Sequence, residues 1–170
     1  KEKIISELGH SFRGYAIKYI EETTPLGTGG ALITGLNGIK CNGLFVLNAD
    51  TYTELNFQNI LEVANKKDKS FIVVRTTEKS ERFGTILFDK NDKVLELQEK
   101  EIIGPSYINC GCYYFHKKHL KIFQNNKIYS LEKEILNEMI KSNNLYVYKY
   151  KGKFIDIGVP IDLKRAQNYI

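Results

Sequence analysis

A chain of 170 residues with 42% apolar content suits one domain able to bury a sizeable core. Its 25 basic and 20 acidic residues leave a formal charge of +5 that is scattered rather than gathered into a stripe. The two lysine clusters, Lys66, Lys67 and Lys69, then Lys117, Lys118 and Lys121, carry no interleaved stacking aromatics. They read as solvated helix ends or loops and argue against a nucleic-acid partner.

In chain order, Lys1 to Gly9 reads as a helix, with Ile4, Ile5 and Leu8 at helical spacing and Gly9 as a stop. Tyr15 to Ile20 is expected as a short strand, and Gly27 to Leu36 as a Gly-led turn running into a helix. Leu44 to Leu47 is a continuous apolar run, the pattern of a strand buried on both faces. Phe57 to Asn65 is helical and Phe71 to Thr76 is rich in β-branched residues. Thr85 to Phe88 and Val94 to Leu97 form a hairpin around Asn91-Asp92. Tyr107 to Phe115 is a long strand. Ser130 caps a helix through Met139, with Glu132 and Glu134 near its positive end. Leu145 to Tyr150 and Lys153 to Ile157 are strands, and Ile161 to Tyr169 is a closing helix. Strands alternating with helices predict a layered α/β domain over 1–170 with a largely parallel central sheet. Ligands of such sheets sit beyond the carboxyl ends of the strands.

Two aspartates fall at such ends: Asp50 after Gly43-Leu44-Phe45-Val46-Leu47-Asn48-Ala49, and Asp156 within Phe154-Ile155-Asp156-Ile157-Gly158-Val159-Pro160. A carboxylate delivered by a buried strand is costly unless its charge is used. Two of them brought together suit Mg²⁺, which takes one or two carboxylates and completes its shell with substrate phosphates. Taken singly, Asp50 also fits a helix cap or turn, and the Asp156 motif says only strand, turn, helix.

Three further segments stand out. In Pro25-Leu26-Gly27-Thr28-Gly29-Gly30-Ala31 the glycines allow close approach to a flat ligand, and the following helix would aim free N–H groups at a polar one. No Lys-Ser/Thr follows, so it is no P-loop; the alternative is a tight strand-to-helix connection. Glu99 and Lys100 end a strand, where a carboxylate could accept sugar hydroxyls and an ammonium neutralise a phosphate, or where the two simply pair at the surface. In Tyr107 to Phe115, Gly111 is unfavourable unless something approaches the backbone, and Asn109 shares its face. A bulge or tight sheet packing is the alternative. The three cysteines, Cys41, Cys110 and Cys112, lack disulfide or zinc spacing and are expected as reduced structural thiols. His10, His116 and His119 suggest no nucleophilic triad; His116 and His119, three apart, could alternatively hold a metal. No run reaches the roughly 18 apolar residues of a membrane helix, and no signal peptide opens the chain.

Taken together and in order, these elements resemble the sugar-phosphate nucleotidyltransferase family, from about Glu21 to the end. Pro25 to Ala31 resembles its base-binding segment, Leu47-Asn48-Ala49-Asp50 its first metal aspartate and Glu99-Lys100 its sugar-phosphate pair. Tyr107 to Gly111 resembles its sugar-binding strand. Phe154 to Pro160 resembles its second metal motif, with Phe154 and Val159 where the family often has Trp and Thr. Arg82-Phe83-Gly84 and Ser130-Leu131-Glu132-Lys133 also fit. Within the family the chain is most similar to the D-glycero-D-manno-heptose 1-phosphate guanylyltransferases of bacterial surface-polysaccharide synthesis.

The resemblance implies a Rossmann-like three-layer fold of GT-A type, with a mixed, mainly parallel sheet. It implies Mg²⁺ on Asp50 and Asp156, a nucleoside triphosphate, GTP favoured, on Leu26, Gly27, Thr28, Gly29 and Gly30, and a sugar 1-phosphate on Glu99, Lys100, Asn109 and Gly111. Asp50, Asp156 and Lys100 would be the catalytic set of a cytoplasmic enzyme, for which a homo-oligomer is compatible. The family's opening strand and Gly-rich loop, with Arg and a downstream Pro-Lys, have no counterpart in residues 1–24. The chain is therefore expected to be N-terminally truncated and to lack the first strands of the sheet. That keeps two alternatives open: a non-catalytic sugar-nucleotide-binding module, and a uridylyl- or thymidylyltransferase. A glycosyltransferase of similar architecture would usually place two acids close together after the strand, and Asp50 is followed by Thr51-Tyr52.

Overall fold

The computed structural model describes residues 1–78, 83–98 and 104–168. A helix α1 (Glu2–Leu8) and a hairpin of β1 (Ser11–Phe12) and β2 (Tyr15–Ala16) come first. Then follow α2 (Gly27–Gly35), β3 (Gly43–Leu47), β4 (Thr51–Thr53), α3 (Phe57–Lys67), β5 (Ser70–Thr77), β6 (Thr85–Phe88) and β7 (Val94–Gln98). The second half holds β8 (Ser106–His116), α4 (Lys117–Leu120), a π-helix (Leu131–Leu136), α5 (Asn137–Lys141), β9 (Leu145–Lys149), β10 (Phe154–Asp156) and α6 (Pro160–Ala166).

The six-stranded sheet runs β7-β6-β8-β5-β9, and β3 also pairs with β8. Strands β3, β5, β6 and β9 point one way, as alternation with helices predicts, while β7 and β8 point the other. The sheet is mixed, but the expectation of a mainly parallel one fails at the level of neighbours. The long reversed strand β8 lies between β5 on one side and β3 and β6 on the other, so only β5–β9 is a parallel pair among the described pairings.

Period-two alternation sorts the core into two faces. Ile72 and Val74 of β5 and Tyr113 and Phe115 of β8 pack with Ile33 of α2, with Leu131, Ile135 and Leu136 of the π-helix and with Met139 of α5. Phe71, Val73, Cys110, Cys112 and Tyr114 face the other way, onto Ile60 and Ala64 of α3. Helices on both faces make the three layers. Burial pushes the Cys110 and Cys112 thiols up to about 12, as suits inert structural cysteines.

Three expectations change. Strand β3 is half-buried rather than enclosed, with Leu47 54% exposed, because its one described pairing is with β8. The strand foreseen over Tyr15 to Ile20 shortens to Tyr15–Ala16, turning through Arg13 and Gly14, both at positive φ. The single helix foreseen from Ser130 to Met139 starts as a π-helix: Ile135 N–H donates to the Ser130 carbonyl at 3.3 Å. Ser130 does cap it, accepting from the Lys133 N–H at 3.1 Å. Among the described residues, no helix is long and apolar enough to cross a membrane.

Candidate active site

The two aspartates are brought together by a short ribbon outside the main sheet. After β3 the Asn48 N–H donates to the Gly111 carbonyl at 2.7 Å, extending the ladder by one bond. The chain then turns through Asp50 into β4, which pairs antiparallel with β10, Thr51 opposite Asp156. The Ile157 N–H donates to the Asp50 carbonyl at 2.8 Å and closes the register. The Gly158 N–H donates to Asp156 Oδ1 at 2.8 Å, fixing that carboxylate. A Cβ on Gly158 would stand 3.0 Å from Asp156 Oδ1 and 3.8 Å from Asp50 Oδ2, so the two oxygens lie within about 7 Å of each other. A side chain at residue 158 would therefore press on the Asp156 carboxylate and sit in contact with that of Asp50.

Gly111 explains how the Asp50 turn gets so close to the sheet. It sits at φ 65°, and a Cβ there would lie 2.8 Å from Asn48 Nδ2 and 2.9 Å from Thr51 Oγ1. Ile72 pairs with Tyr113 and Val74 with Asn109, so Cys110, Gly111 and Cys112 bulge opposite Val73. The glycine is a bulge packed tightly against the chain's own aspartate turn, the packing alternative of the two sequence readings. Bulges of this kind re-aim side chains beside active sites. Here the bulge lies where β8 changes partner from β6, paired at Ile108, to β3, paired from Cys112 onward.

Asn109 occupies that gap. Its Oδ1 accepts from the Gly111 N–H at 2.9 Å and its Nδ2 donates to the Tyr113 hydroxyl at 2.6 Å. Tyr113 is fully buried, and burial pushes its phenol up to about 12 despite the opposing Asn109 bond. Its hydroxyl therefore stays protonated while holding the amide.

A cleft of about 630 Å³ opens at this junction, lined by Asp50, Asp156, Asn109 and Gly111 together. Thus four residues from three distant parts of the sequence meet. Glu99, Lys100 and Arg82 lie outside the described residues; Gln98 and Gly84, next along the chain, line the cleft. The π-helix brings Glu132 and Lys133 of the Ser130-Leu131-Glu132-Lys133 motif to the cleft wall; Asn137, the first residue of α5, lines it too and was missed by sequence reasoning. The capping signal at Ser130 located the helix, but the extra residue in its first turn left no sequence mark. Thr85 was missed too: it lines the cleft, 3% exposed, with its hydroxyl buried and unpartnered among the described residues.

The glycine segment is not in this cleft; none of Leu26, Gly27, Thr28, Gly29 and Gly30 is among its lining residues. The expectation of free N–H groups there is corrected. The Gly29 and Gly30 N–H groups both donate to the Tyr129 carbonyl, at 2.8 and 3.2 Å, and Thr28 Oγ1 accepts from the Leu131 N–H at 2.9 Å. Side chains would collide with the same strand-like segment: a Cβ would stand 2.6 Å from Tyr129 O at Gly27 and 2.4 Å from Lys127 O at Gly30. These glycines let α2 press against the start of the π-helix.

The histidines give no second site. Ser70 Oγ and His119 Nδ1 are 2.9 Å apart, but Ser70 is 0% exposed and cannot meet a substrate. Among the described residues, no group of three or more His, Cys, Asp or Glu side chains could hold a metal.

A three-layer α/β fold with two carboxylates beside an open cleft is an arrangement able to receive a cation and phosphate oxygens. The family model described as nucleotidyl transferase matches residues 3–170, and the chain belongs to that family. It is 32% identical over 163 residues to the D-glycero-alpha-D-manno-heptose 1-phosphate guanylyltransferase of Campylobacter jejuni, covering 95% of this chain and 72% of that protein. It is 32% identical over 153 residues to the mannose-1-phosphate guanylyltransferase catalytic subunit beta of Drosophila melanogaster, covering 88% of this chain and 41% of that one. The crystal structure of HddC from Yersinia pseudotuberculosis superposes with a TM-score of 0.86 at 28% identity, over 99% of this chain and 74% of HddC, and has also been solved with GMP-PN bound.

Proposed function

We propose that this protein is a cytoplasmic guanylyltransferase. It joins GTP to a heptose- or mannose-type sugar 1-phosphate and releases pyrophosphate, making a GDP-sugar for surface-polysaccharide synthesis. The observation that carries this reading is the convergence of Asp50 and Asp156 on one cleft with Asn109 and Gly111. The donor set fits Mg²⁺: two carboxylates on a gap kept clear by Gly158, leaving other positions for phosphate oxygens and water. When bound, the ion supplies charge neutralisation to the nucleotide phosphates.

The chain's own residues then bind and orient. Asp50 and Asp156 fix the position of the phosphates, and Glu99, Asn109 and Gly111 take the sugar ring. Lys100 holds the sugar phosphate. An oxygen of that phosphate attacks the α-phosphorus in line; one P–O bond forms, the bond to the bridging oxygen breaks, and pyrophosphate departs with the electron pair. Such a transfer rests on positioning and charge stabilisation, with no protein nucleophile.

Pyrophosphate release tests this, using a panel of GTP, UTP, dTTP and ATP against mannose, glucose and heptose 1-phosphates with Mg²⁺. GTP with a mannose- or heptose-type acceptor is the expected pair. Preference for UTP or dTTP would overturn the guanylyl assignment, and release from no pair would sink the transferase reading.

A further inference from the structure

We infer that Lys133, on the π-helix, is a phosphate-binding residue for the sugar 1-phosphate acceptor, acting alongside the aspartate pair on a different wall of the cleft. This rests on the transferase reading of the site.

Charge balance is the first reason. The charged side chains described in the cleft wall are Asp50, Asp156, Glu132 and Lys133, three acids and one base. A phosphate monoester carries about −1.5 to −2 charges near neutrality and would be repelled by such a wall. A cation between the aspartates offsets the charge at one place only. Lys133 is the one basic side chain among the described residues lining the cleft, and an ammonium there can neutralise a phosphate as a point charge.

The second reason is the way the backbone at Lys133 is held. Leu131, Ile135 and Leu136 are buried in the core, anchoring the inner face of the π-helix. The Leu131 N–H is taken by Thr28 Oγ1, the Lys133 N–H by Ser130 Oγ, and the Lys133 carbonyl accepts from Asn137 Nδ2 at 3.0 Å. The widened turn places Glu132, Lys133 and Asn137 together on the cleft side. A π-turn is rare and is frequently found at functional sites. Here it sets an exposed lysine on a rigid base facing the phosphate-handling cleft.

The test is calorimetric binding of D-mannose 1-phosphate and, separately, of GTP, to wild type, Lys133→Ala and Lys133→Arg, with Mg²⁺ present. Lys133→Ala is expected to weaken mannose 1-phosphate about tenfold or more, while Lys133→Arg recovers most of the affinity and GTP binding changes less than about twofold. Equal affinity of wild type and Lys133→Ala for mannose 1-phosphate overturns the inference; so does an equal loss of GTP affinity, or no mannose 1-phosphate binding by wild type. Pyrophosphate release, run in parallel, separates the two ideas. Wild-type turnover with unchanged Lys133→Ala constants removes the Lys133 role and leaves the transferase reading standing. A selective binding loss without turnover by wild type does the reverse.

Discussion

The aspartate ribbon and the glycine segment resemble one another as sequence, each a short motif at a turn, yet they use their polar groups in opposite ways. On the ribbon, backbone bonds close the β4–β10 register while both carboxylates face an open cleft. In the glycine segment the helix N–H groups are already bonded to Tyr129 O, and the absent side chains are replaced by neighbouring backbone. A glycine-rich turn shows that something approaches closely. It does not show whether that is a ligand or the chain itself.

The largest expected effect breaks the comparison on the ribbon side. Asp50→Asn or Asp156→Asn should lower kcat/KM by about 10²-fold or more, because charge stabilisation dominates phosphoryl chemistry. The unfolding midpoint should hardly move, since neither side chain is in the core. Wild-type turnover in either variant would remove the metal role. Gly158→Ala is the companion: its Cβ would meet Asp156 Oδ1 at 3.0 Å, so the Mg²⁺ concentration for half-maximal activity should rise without loss of stability.

On the glycine side the next effect is on folding. A Cβ at Gly30 would stand 2.4 Å from Lys127 O and 2.8 Å from Leu26 Cβ. Gly30→Ala should therefore cost about 2–3 kcal/mol by overpacking, lowering Tm by roughly 5–10 °C for a chain of this size. An unchanged thermal midpoint with selective loss of GTP binding would instead return these glycines to ligand contact.

What the sequence showed and what it hid follow the same division. Asp50 and Asp156 were legible because an apolar strand ending in a carboxylate is a local pattern with a local cost. The existence of β5 and β8 was legible from their apolar, β-rich runs. Strand order was not: that β8 would separate β3 and β6 from β5 is a property of packing, invisible in any window. Nor was the three-residue pairing of β4 with β10, which depends on residues about a hundred positions apart. The π-turn escaped because Leu131, Ile135 and Leu136 satisfy an apolar helical stripe in either helix type.

Asn109 stands between the two regions, facing the cleft yet tied inward through Tyr113. Tyr113→Phe removes that tie and leaves the Asn109 amide to rotate. Stability should fall by about 1 kcal/mol, the ordinary net worth of such a bond. KM for the sugar 1-phosphate should rise several-fold with kcat nearly unchanged, as expected for a positioning residue. A variant with wild-type KM would show that Asn109 needs no holding, or takes no part in sugar binding.

The last expected effect concerns the Ser70–His119 pair, in which the serine is buried and the histidine half-buried. Burial lowers the pKa of His119 from 6.5 to about 4, helped by the nearby Lys118 and Lys69 ammonium groups and opposed by Asp68. The unfolded chain therefore binds a proton that the folded one refuses between those values. By linkage, stability is fully present above pH 6.5 and is lost as pH falls towards 4. Asp68, held below its usual 3.8 chiefly by its hydrogen bond to Lys118, loses its contribution only at lower pH, outside that window. Denaturant midpoints measured from pH 7 to 4.5 should fall for wild type. They should fall less for His119→Asn, which keeps an acceptor near Ser70 Oγ but cannot take up the proton. Parallel pH profiles for the two proteins would show that His119 does not titrate in the folded state as its burial requires.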